Sequence, residues 1–265
     1  MHLDFVLNSS PEIGEAARRN TVVLVPVGQT EEHGPHLPVG TDTFIAHDVA
    51  RKVAAALEGE IPILVMPPVW SAFSVDTLGQ WPGLIKVRSK TFIDLIHDIV
   101  ASLLRMGFRK VIIMNGHGNN PEFLQVALRE LADEFEATPI MANVWRFGAE
   151  KYQQVRRTAP GGSCHACEYE TSMVLALGYP VDMSKAPAGD ELRFDLKFRA
   201  KENLFGSSMV TWSTWKLQQS RSGVYGDPTT ATVEMGEQVL QATVDQFVEL
   251  VREYYAWEPE PGEKE

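Results

Sequence analysis

The sequence predicts an α/β fold of three layers, in which a mainly parallel sheet is flanked by helices. Short apolar runs rich in β-branched residues recur along the chain, as expected of strands that are buried on both faces. Amphipathic helical segments separate these runs, and this alternation is typical of parallel strands joined by helical crossovers. The 265 residues are 44% hydrophobic and 22% charged, which is the composition of an ordinary globular protein.

The first half of the chain contains two predicted strands and two predicted helices. Thr21–Val27 is a continuous β-branched run, and Ile63–Val69 is a second one that contains two prolines near its end. Phe44–Leu57 has the apolar spacing of an amphipathic helix. Thr91–Met106 repeats its apolar residues at three and four, and Gly107 stands where a helix C-cap is expected.

The second half continues the same alternation. Lys110–Met114 and Pro139–Val144 are predicted strands. Pro121–Phe135 is predicted as a helix with proline in its first turn, and Ala166–Leu177 as a helix stopped by a glycine and a proline. A last helix is predicted at Ala231–Tyr255. Ligands of open parallel sheets bind beyond the carboxyl ends of the strands, so we expect functional residues in the loops that follow the strands.

The composition of the chain indicates which classes of partner and which cellular compartment to expect. The formal net charge is −11 at pH 7, whereas nucleic acids and anionic membranes are bound by clustered Lys and Arg, so a small molecule is the expected partner. No apolar run reaches the roughly 18 residues of a membrane helix, and residues 1–20 lack a secretory signal pattern. Two cysteines three apart make no disulfide framework. We expect a cytoplasmic enzyme with one domain, residues 1–257, and a disordered acidic tail, residues 258–265.

The loop after the first strand, Gly28–Asp42, reads GQTEEHGPHLPVGTD. Glu31 and His33 are two residues apart, and extended backbone points such side chains the same way. A carboxylate and an imidazole that converge suit a Zn or Mn ion. Glycines and prolines fold the chain back so that Asp42 can return to the same place. The alternatives are a helix N-cap for Asp42 and a loop histidine bonded to backbone for His33.

The loop after the third strand, Asn115–Asn120, reads NGHGNN. Two glycines around His117 permit a sharp turn and close backbone approach. The segment lacks the GxxxxGK[ST] pattern and the lysine of a phosphate loop. A tight turn with an incidental histidine is the alternative, but this loop is expected at the same sheet edge as Glu31 and His33.

A third cluster, SCHACEYETS, spans residues 163–172 and has two interpretations. Cys164 and Cys167 could form a redox or zinc site, although the chain has no second cysteine pair to complete a structural zinc site. The other interpretation places His165 in an active site as acid or base and Glu170 as a metal ligand or proton acceptor. An exposed helix acid is the alternative for Glu170.

Motifs of nucleophilic hydrolases are missing from the sequence. There is no G-x-S-x-G pattern, and neither cysteine stands in a protease context. A water whose pKa is lowered toward about 7 by a divalent metal ion is therefore the expected nucleophile, with a second ion able to polarise a carbonyl.

Together, the three clusters resemble the creatininase (creatinine amidohydrolase) family. The matching segments are Gly28–Asp42, Asn115–Asn120 and His165–Ser172, with further support from Trp81–Gly83 and Gly223–Thr232. The resemblance spans roughly residues 20 to 235. It implies a creatininase-like hydrolase with two divalent ions per chain, Zn, Mn or Fe, and a homo-oligomer, commonly a hexamer.

The resemblance also implies roles for individual residues. Glu31 and His117 would hold one ion, His33 the other, and Asp42 would bridge the two. His165 aligns with the catalytic histidine of the family and would donate a proton to the leaving nitrogen.

The sequence departs from creatininase at one candidate ligand. In that enzyme a glutamate two residues after the NGH histidine binds the second ion, and here this position is Asn119. An amide oxygen is a poor substitute, so Glu170 is the candidate replacement ligand and Glu168 the alternative. The departure makes creatinine an unexpected substrate.

A second departure lies in the loop Ser71–Lys86, which lacks the histidine that many relatives carry shortly before the Pro-Gly. This loop is expected to line the substrate pocket, with Trp70, Trp81 and Trp145 as flat apolar walls.

The expected reaction is hydrolysis of an amide-type C–N bond in a small polar molecule, namely a cyclic amide, a formamide or the end of a short peptide. One alternative is ring opening of a cyclic ketone by C–C hydrolysis at the same metal site. A second alternative is a metal-binding homologue that has lost catalysis.

Overall fold

A four-stranded parallel sheet forms the centre of the molecule. The computed structural model describes residues 1–189, 197–198, 204–205, 209–210 and 220–258. The strands lie in the order β2-β1-β3-β4. Their bounds are β1 Val22–Val27, β2 Ile63–Val65, β3 Lys110–Asn115 and β4 Ile140–Asn143. A separate antiparallel pair consists of β5, Ser163–His165, and β6, Tyr225–Gly226.

Helices cover both faces of the sheet. Their bounds are α1 Ser10–Arg18, α2 Thr41–Ala56, α3 Ser89–Arg105, α4 Pro121–Glu134, α5 Val144–Phe147, α6 Ala149–Val155, α7 Glu168–Ala176 and α8 Val233–Ala256.

Alternating residues of β1 point into two separate hydrophobic cores. Val22 and Leu24 pack with apolar side chains of α2, α7 and α8. Val23 and Val25 pack on the opposite face with those of α1, α3 and α4. All four side chains are fully buried, and each such burial stabilises the fold by about 1.5–3 kcal/mol. The predicted three-layer α/β fold with a mainly parallel sheet is therefore confirmed.

Several predicted boundaries differ from the observed ones. The second strand ends at Val65 rather than Val69, because two prolines follow, and Val69 retains only an isolated bridge to Val27. The seventh helix begins at Glu168 rather than Ala166, because Ala166 has a positive φ of 51°. The prediction omitted α1, α5, α6 and the β5–β6 pair.

Helix α2 begins three residues earlier than predicted, at Thr41. Asp42 therefore lies inside the first turn, and Gly40 occupies the N-cap position. The N-cap alternative for Asp42 is wrong, which leaves its carboxylate available for another role.

Within the described part of the chain, no helix is long and apolar enough to cross a membrane. The predicted acidic tail, apart from Glu258, lies outside the described residues. The single-domain assignment of residues 1–257 stays a prediction.

Candidate metal centre

The predicted ligands meet at the carboxyl ends of β1 and β3. Glu31 and His33 lie in the loop after β1, Asp42 in the first turn of α2, His117 in the loop after β3, and Glu170 in the first turn of α7. Each of these side chains is buried. The convergence that the sequence predicted for this edge of the sheet is observed.

Asp42 is the centre of the cluster. Its Oδ1 lies 3.2 Å from Nε2 of His33, and its Oδ2 lies 2.8 Å from Nδ1 of His117. The two oxygens thus face different imidazoles, so this carboxylate could serve two neighbouring ions.

Asp42 accordingly belongs to two groups of residues that could each hold a metal ion. The first group is Glu31, Asp42 and His117, and the second is His33, Asp42 and Glu170. In each group the ligand atoms lie within 4.8 Å of one another. Nitrogen and carboxylate oxygen donors of this kind suit Zn or Mn.

Two buried oxygens support a cation here. Oε1 of Glu31 accepts no hydrogen bond from any described residue, and Oδ2 of Asp42 faces the Nδ1 of His117 without another donor. Buried carboxylate oxygens without donors are costly unless they are paired with positive charge or coordinate metals. The donor set therefore fits divalent ions.

Backbone carbonyls orient the two imidazoles. Nε2 of His117 donates to the carbonyl oxygen of Phe73 at 3.1 Å, so its Nδ1 faces the cluster. Nδ1 of His33 donates to the carbonyl oxygen of Glu31 at 3.2 Å, so its Nε2 faces Asp42. Hydrogen bonds of this kind fix the tautomer of metal-binding histidines.

The negative charge of the cluster shifts the pKa of its histidines. Burial lowers the pKa of His33, but Asp42, Glu170 and Glu31 outweigh it and raise this pKa to about 10. Burial also lowers the pKa of His117, and Glu31 and Asp42 raise it on balance. Burial raises the pKa of Asp42, yet His33 and His117 hold it well below its usual range. The same electrostatic field attracts divalent cations.

His165 borders this cluster from β5. Its Nε2 donates to the carbonyl oxygen of Glu32 at 2.7 Å, and its Nδ1 lies 3.5 Å from Oε1 of Glu31. The ring also packs against that of His33, with centroids 4.3 Å apart. Burial and His33 lower the pKa of His165, but Glu32, Glu31 and Glu170 raise it on balance. The ring therefore directs Nδ1 toward the ligand cluster.

The structure separates the two glutamates proposed as replacement ligands. Glu170 joins a ligand group with His33 and Asp42, while its Oε2 accepts from the backbone N–H of Cys167 at 3.2 Å. Glu168 turns away and accepts hydrogen bonds from Tyr152 and other donors. No ligand group among the described residues includes Glu168, so Glu170 is the glutamate that these contacts favour as a ligand.

The cysteines do not support a redox or zinc site. Cys164 and Cys167 are reduced and buried, and no ligand group among the described residues includes either one. Burial raises the pKa of Cys167 well above its usual range, whereas redox-active cysteines have lowered values.

The 71–86 loop holds a residue that the sequence interpretation missed. Ser74 donates from its hydroxyl to Oε2 of Glu31 at 2.6 Å. No local pattern around this serine indicated a contact 43 residues away. Of the three predicted pocket tryptophans, Trp145 lies in the hydrophobic core, Trp70 is exposed and Trp81 packs near Leu78.

The model of the family described as "Creatininase: Creatinine amidohydrolase" matches residues 7–251. The chain belongs to the creatininase family and is a hydrolase.

Two curated relatives illustrate the family. The 3-dehydro-scyllo-inosose hydrolase of Thermotoga maritima is 28% identical over 91% of this chain and 80% of its own length. The mycofactocin precursor peptide peptidase of Mycobacterium tuberculosis is 32% identical over 90% of this chain and 86% of its own length.

Two solved creatininase structures share the fold. One is described with Mn, and the other is a variant described as of Zn-Zn type. Their TM-scores are 0.79 and 0.78. Each is 23% identical and covers 97% of this chain and all of its own.

Proposed function

We propose that the chain is a hydrolase that uses two divalent ions, Zn, Mn or Fe, to cleave an amide-type C–N bond in a small polar molecule. The observation that carries this proposal is the position of Asp42, whose two oxygens face His33 and His117 in two separate ligand groups. Glu31 completes the first group and Glu170 the second.

Ions at these positions would supply Lewis acidity and lower the pKa of a coordinated water toward about 7. The protein supplies orientation and proton transfer. The carbonyl of Glu32 holds the proton of Nε2 of His165, so Nδ1 is the nitrogen that delivers a proton to the leaving group. The buried carboxylates hold their negative charge at fixed positions, so these groups need not reorganise when charge develops in the transition state.

The substrate class is a cyclic amide, a formamide or a short peptide. Similarity to a mycofactocin precursor peptide peptidase supports an amide bond. Asn119, in place of a carboxylate ligand, argues against creatinine itself. The second candidate is ring opening of a cyclic ketone, supported by similarity to a 3-dehydro-scyllo-inosose hydrolase, since an inosose is a cyclic polyhydroxy ketone. A hexameric assembly and a cytoplasmic location belong to this proposal and stay predictions.

Elemental analysis of the purified protein tests the centre. We expect two ions per chain, falling to one in Glu170→Ala and in Glu170→Gln. The Gln variant is the matched control, because its amide oxygen can still accept from the N–H of Cys167 and so preserve the helix cap. Equal metal content in all three proteins would remove Glu170 from the ligands. Protein that binds neither Zn nor Mn would refute the mechanism.

A second experiment separates an enzyme from a non-catalytic metal-binding homologue. His165→Gln is expected to retain both ions and to lose turnover of amides or cyclic ketones by 100-fold or more, roughly the contribution of a general acid. His47→Gln is the control, because His47 lies beside Asp48 on α2 and belongs to none of the ligand groups of the described residues. Unchanged turnover in His165→Gln would remove this residue from catalysis.

A further inference from the structure

The 70–87 segment lies across the 28–42 loop that carries three of the candidate ligands. Near one end of this segment, the carbonyl oxygen of Trp70 accepts from the hydroxyl of Thr30 at 2.8 Å. Near the other end, the backbone N–H of Ile85 donates to the carbonyl oxygen of Thr30 at 3.0 Å. The segment is therefore tied to the loop at both ends.

Phe73 and Ser74, which lie between these two ties, contact two candidate ligands that share the group of Glu31, Asp42 and His117. Ser74 donates to Oε2 of Glu31 at 2.6 Å, and the carbonyl oxygen of Phe73 accepts from Nε2 of His117 at 3.1 Å. The side chains of Ser74 and Glu31 are fully buried, so water cannot replace this hydrogen bond.

The other candidate ion draws its supporting contacts from different elements. His33 donates to the carbonyl oxygen of Glu31 within its own loop at 3.2 Å. Glu170 accepts from the N–H of Cys167 at the start of α7 at 3.2 Å. The 70–87 segment thus contacts the side chains of Glu31 and His117, whereas the side-chain contacts of His33 and Glu170 come from the 28–42 loop and from α7.

We propose that Ser74 is a positioning residue for one ion only, the ion held by Glu31, Asp42 and His117. This inference rests on the proposed metal-dependent function. Since Ser74 occupies Oε2 of Glu31, Oε1 is the oxygen left to ligate, and it is the one that accepts no hydrogen bond. Without the hydroxyl, the buried carboxylate of Glu31 loses its only side-chain donor among the described residues and can rotate away from the ion.

Competition between the protein and a Zn chelator measures this effect. In Ser74→Ala we expect one of two Zn ions to be held about 10–100-fold more weakly, the usual cost of losing such a support, and the other to change by less than about 3-fold. Ser71→Ala is the matched control, because Ser71 is in the same segment and donates to the carbonyl oxygen of Ile85 at 2.6 Å without contacting a ligand.

A second pair of variants separates the hydroxyl from packing and protects the test against misfolding. Ser74→Thr and Ser74→Val have nearly the same shape, and only threonine keeps the hydroxyl. We expect threonine to restore the affinity that valine loses. In a Glu170→Gln background, Ser74→Val should leave no tightly held ion.

The outcomes distinguish this inference from the proposed function. Two tightly held ions in Ser74→Ala, equal weakening of both ions, or equal behaviour of the Thr and Val variants would each overturn the role of Ser74 and leave the metal-dependent function standing. An unsubstituted protein that binds no Zn would overturn both.

Discussion

Replacing Glu168 tests whether this buried acid is a structural centre rather than a ligand. Its carboxylate is fully buried at the first residue of α7. It accepts from the hydroxyl of Tyr152 at 3.0 Å, the N–H of Arg157 at 3.1 Å and the hydroxyl of Thr158 at 2.8 Å. It also accepts from the hydroxyl of Thr230 at 2.5 Å, which ties α7 to the segment before α8.

The magnitude follows from the donors that Glu168→Ala would leave without a partner. The hydroxyl of Tyr152 keeps Ser163, 2.5 Å away, and the threonine hydroxyls can rotate toward other acceptors. The half-buried N–H groups of Arg157 and Thr158 lose their acceptor. Each stranded donor costs about 1–3 kcal/mol. We expect Glu168→Ala to lower the free energy of unfolding by about 3–5 kcal/mol.

Thermal unfolding followed by circular dichroism measures this loss. At roughly 2–4 °C per kcal/mol for a chain of this size, the midpoint should fall by about 6–20 °C. Glu168→Gln keeps one acceptor oxygen, so its unfolding midpoint should fall less than that of Glu168→Ala. Metal content measured below the transition should equal that of the unsubstituted protein. An unchanged midpoint together with the loss of one ion would refute the structural role and restore Glu168 as a ligand.

Three further predictions concern the centre and its surroundings. Gly116→Ala should destabilise the protein by more than about 2 kcal/mol and reduce its metal content, because a Cβ at this position would lie 2.5 Å from the carbonyl oxygen of Asp42. Gly118→Ala is the control: a Cβ there would have no atom within 4 Å, and stability should change by less than about 0.5 kcal/mol. Burial, with the charges of neighbouring histidines, lowers the pKa of His36 to about 4; the unfolded chain therefore binds its proton first, and stability falls as pH drops from about 6.5 to 4. Removal of metal by a chelator should lower the unfolding midpoint, since an ion at 1,000 times its Kd stabilises the folded state by about 4 kcal/mol.

Each of these three has a measurement and a contradicting result. For the glycines, equal unfolding midpoints and metal contents in both variants would contradict the close approach at Gly116. For His36, the free energy of unfolding is measured with denaturant at several pH values across this range. In His36→Asn it should vary less steeply with pH, by an amount that corresponds to up to about one proton. Identical pH dependence in the two proteins would contradict the shifted pKa. For the metal, a midpoint unaffected by chelator, in protein proven by elemental analysis to have lost its ions, would contradict the linkage.

The apolar pattern of the sequence was sufficient to predict the fold class, because the burial of each residue determines whether that position is apolar. The β1 run is apolar at successive positions, since both of its faces are covered, and this pattern is readable without any partner strand. Short elements such as α5 and β6 carry too few residues for a period, so the sequence did not indicate them.

The sequence alone indicated the candidate ligands: the side chains and positions of Glu31, His33, Asp42 and His117 after strands suggested them, and the resemblance to the creatininase family joined them into one set. It could not decide between Glu168 and Glu170. Side chains two residues apart on a helix point about 200° apart, so only the packing of α7 determines which of the two glutamates faces the ligand cluster. The support from Ser74 was also decided by tertiary structure alone, because its hydrogen bond to Glu31 spans 43 residues of chain and leaves no local pattern.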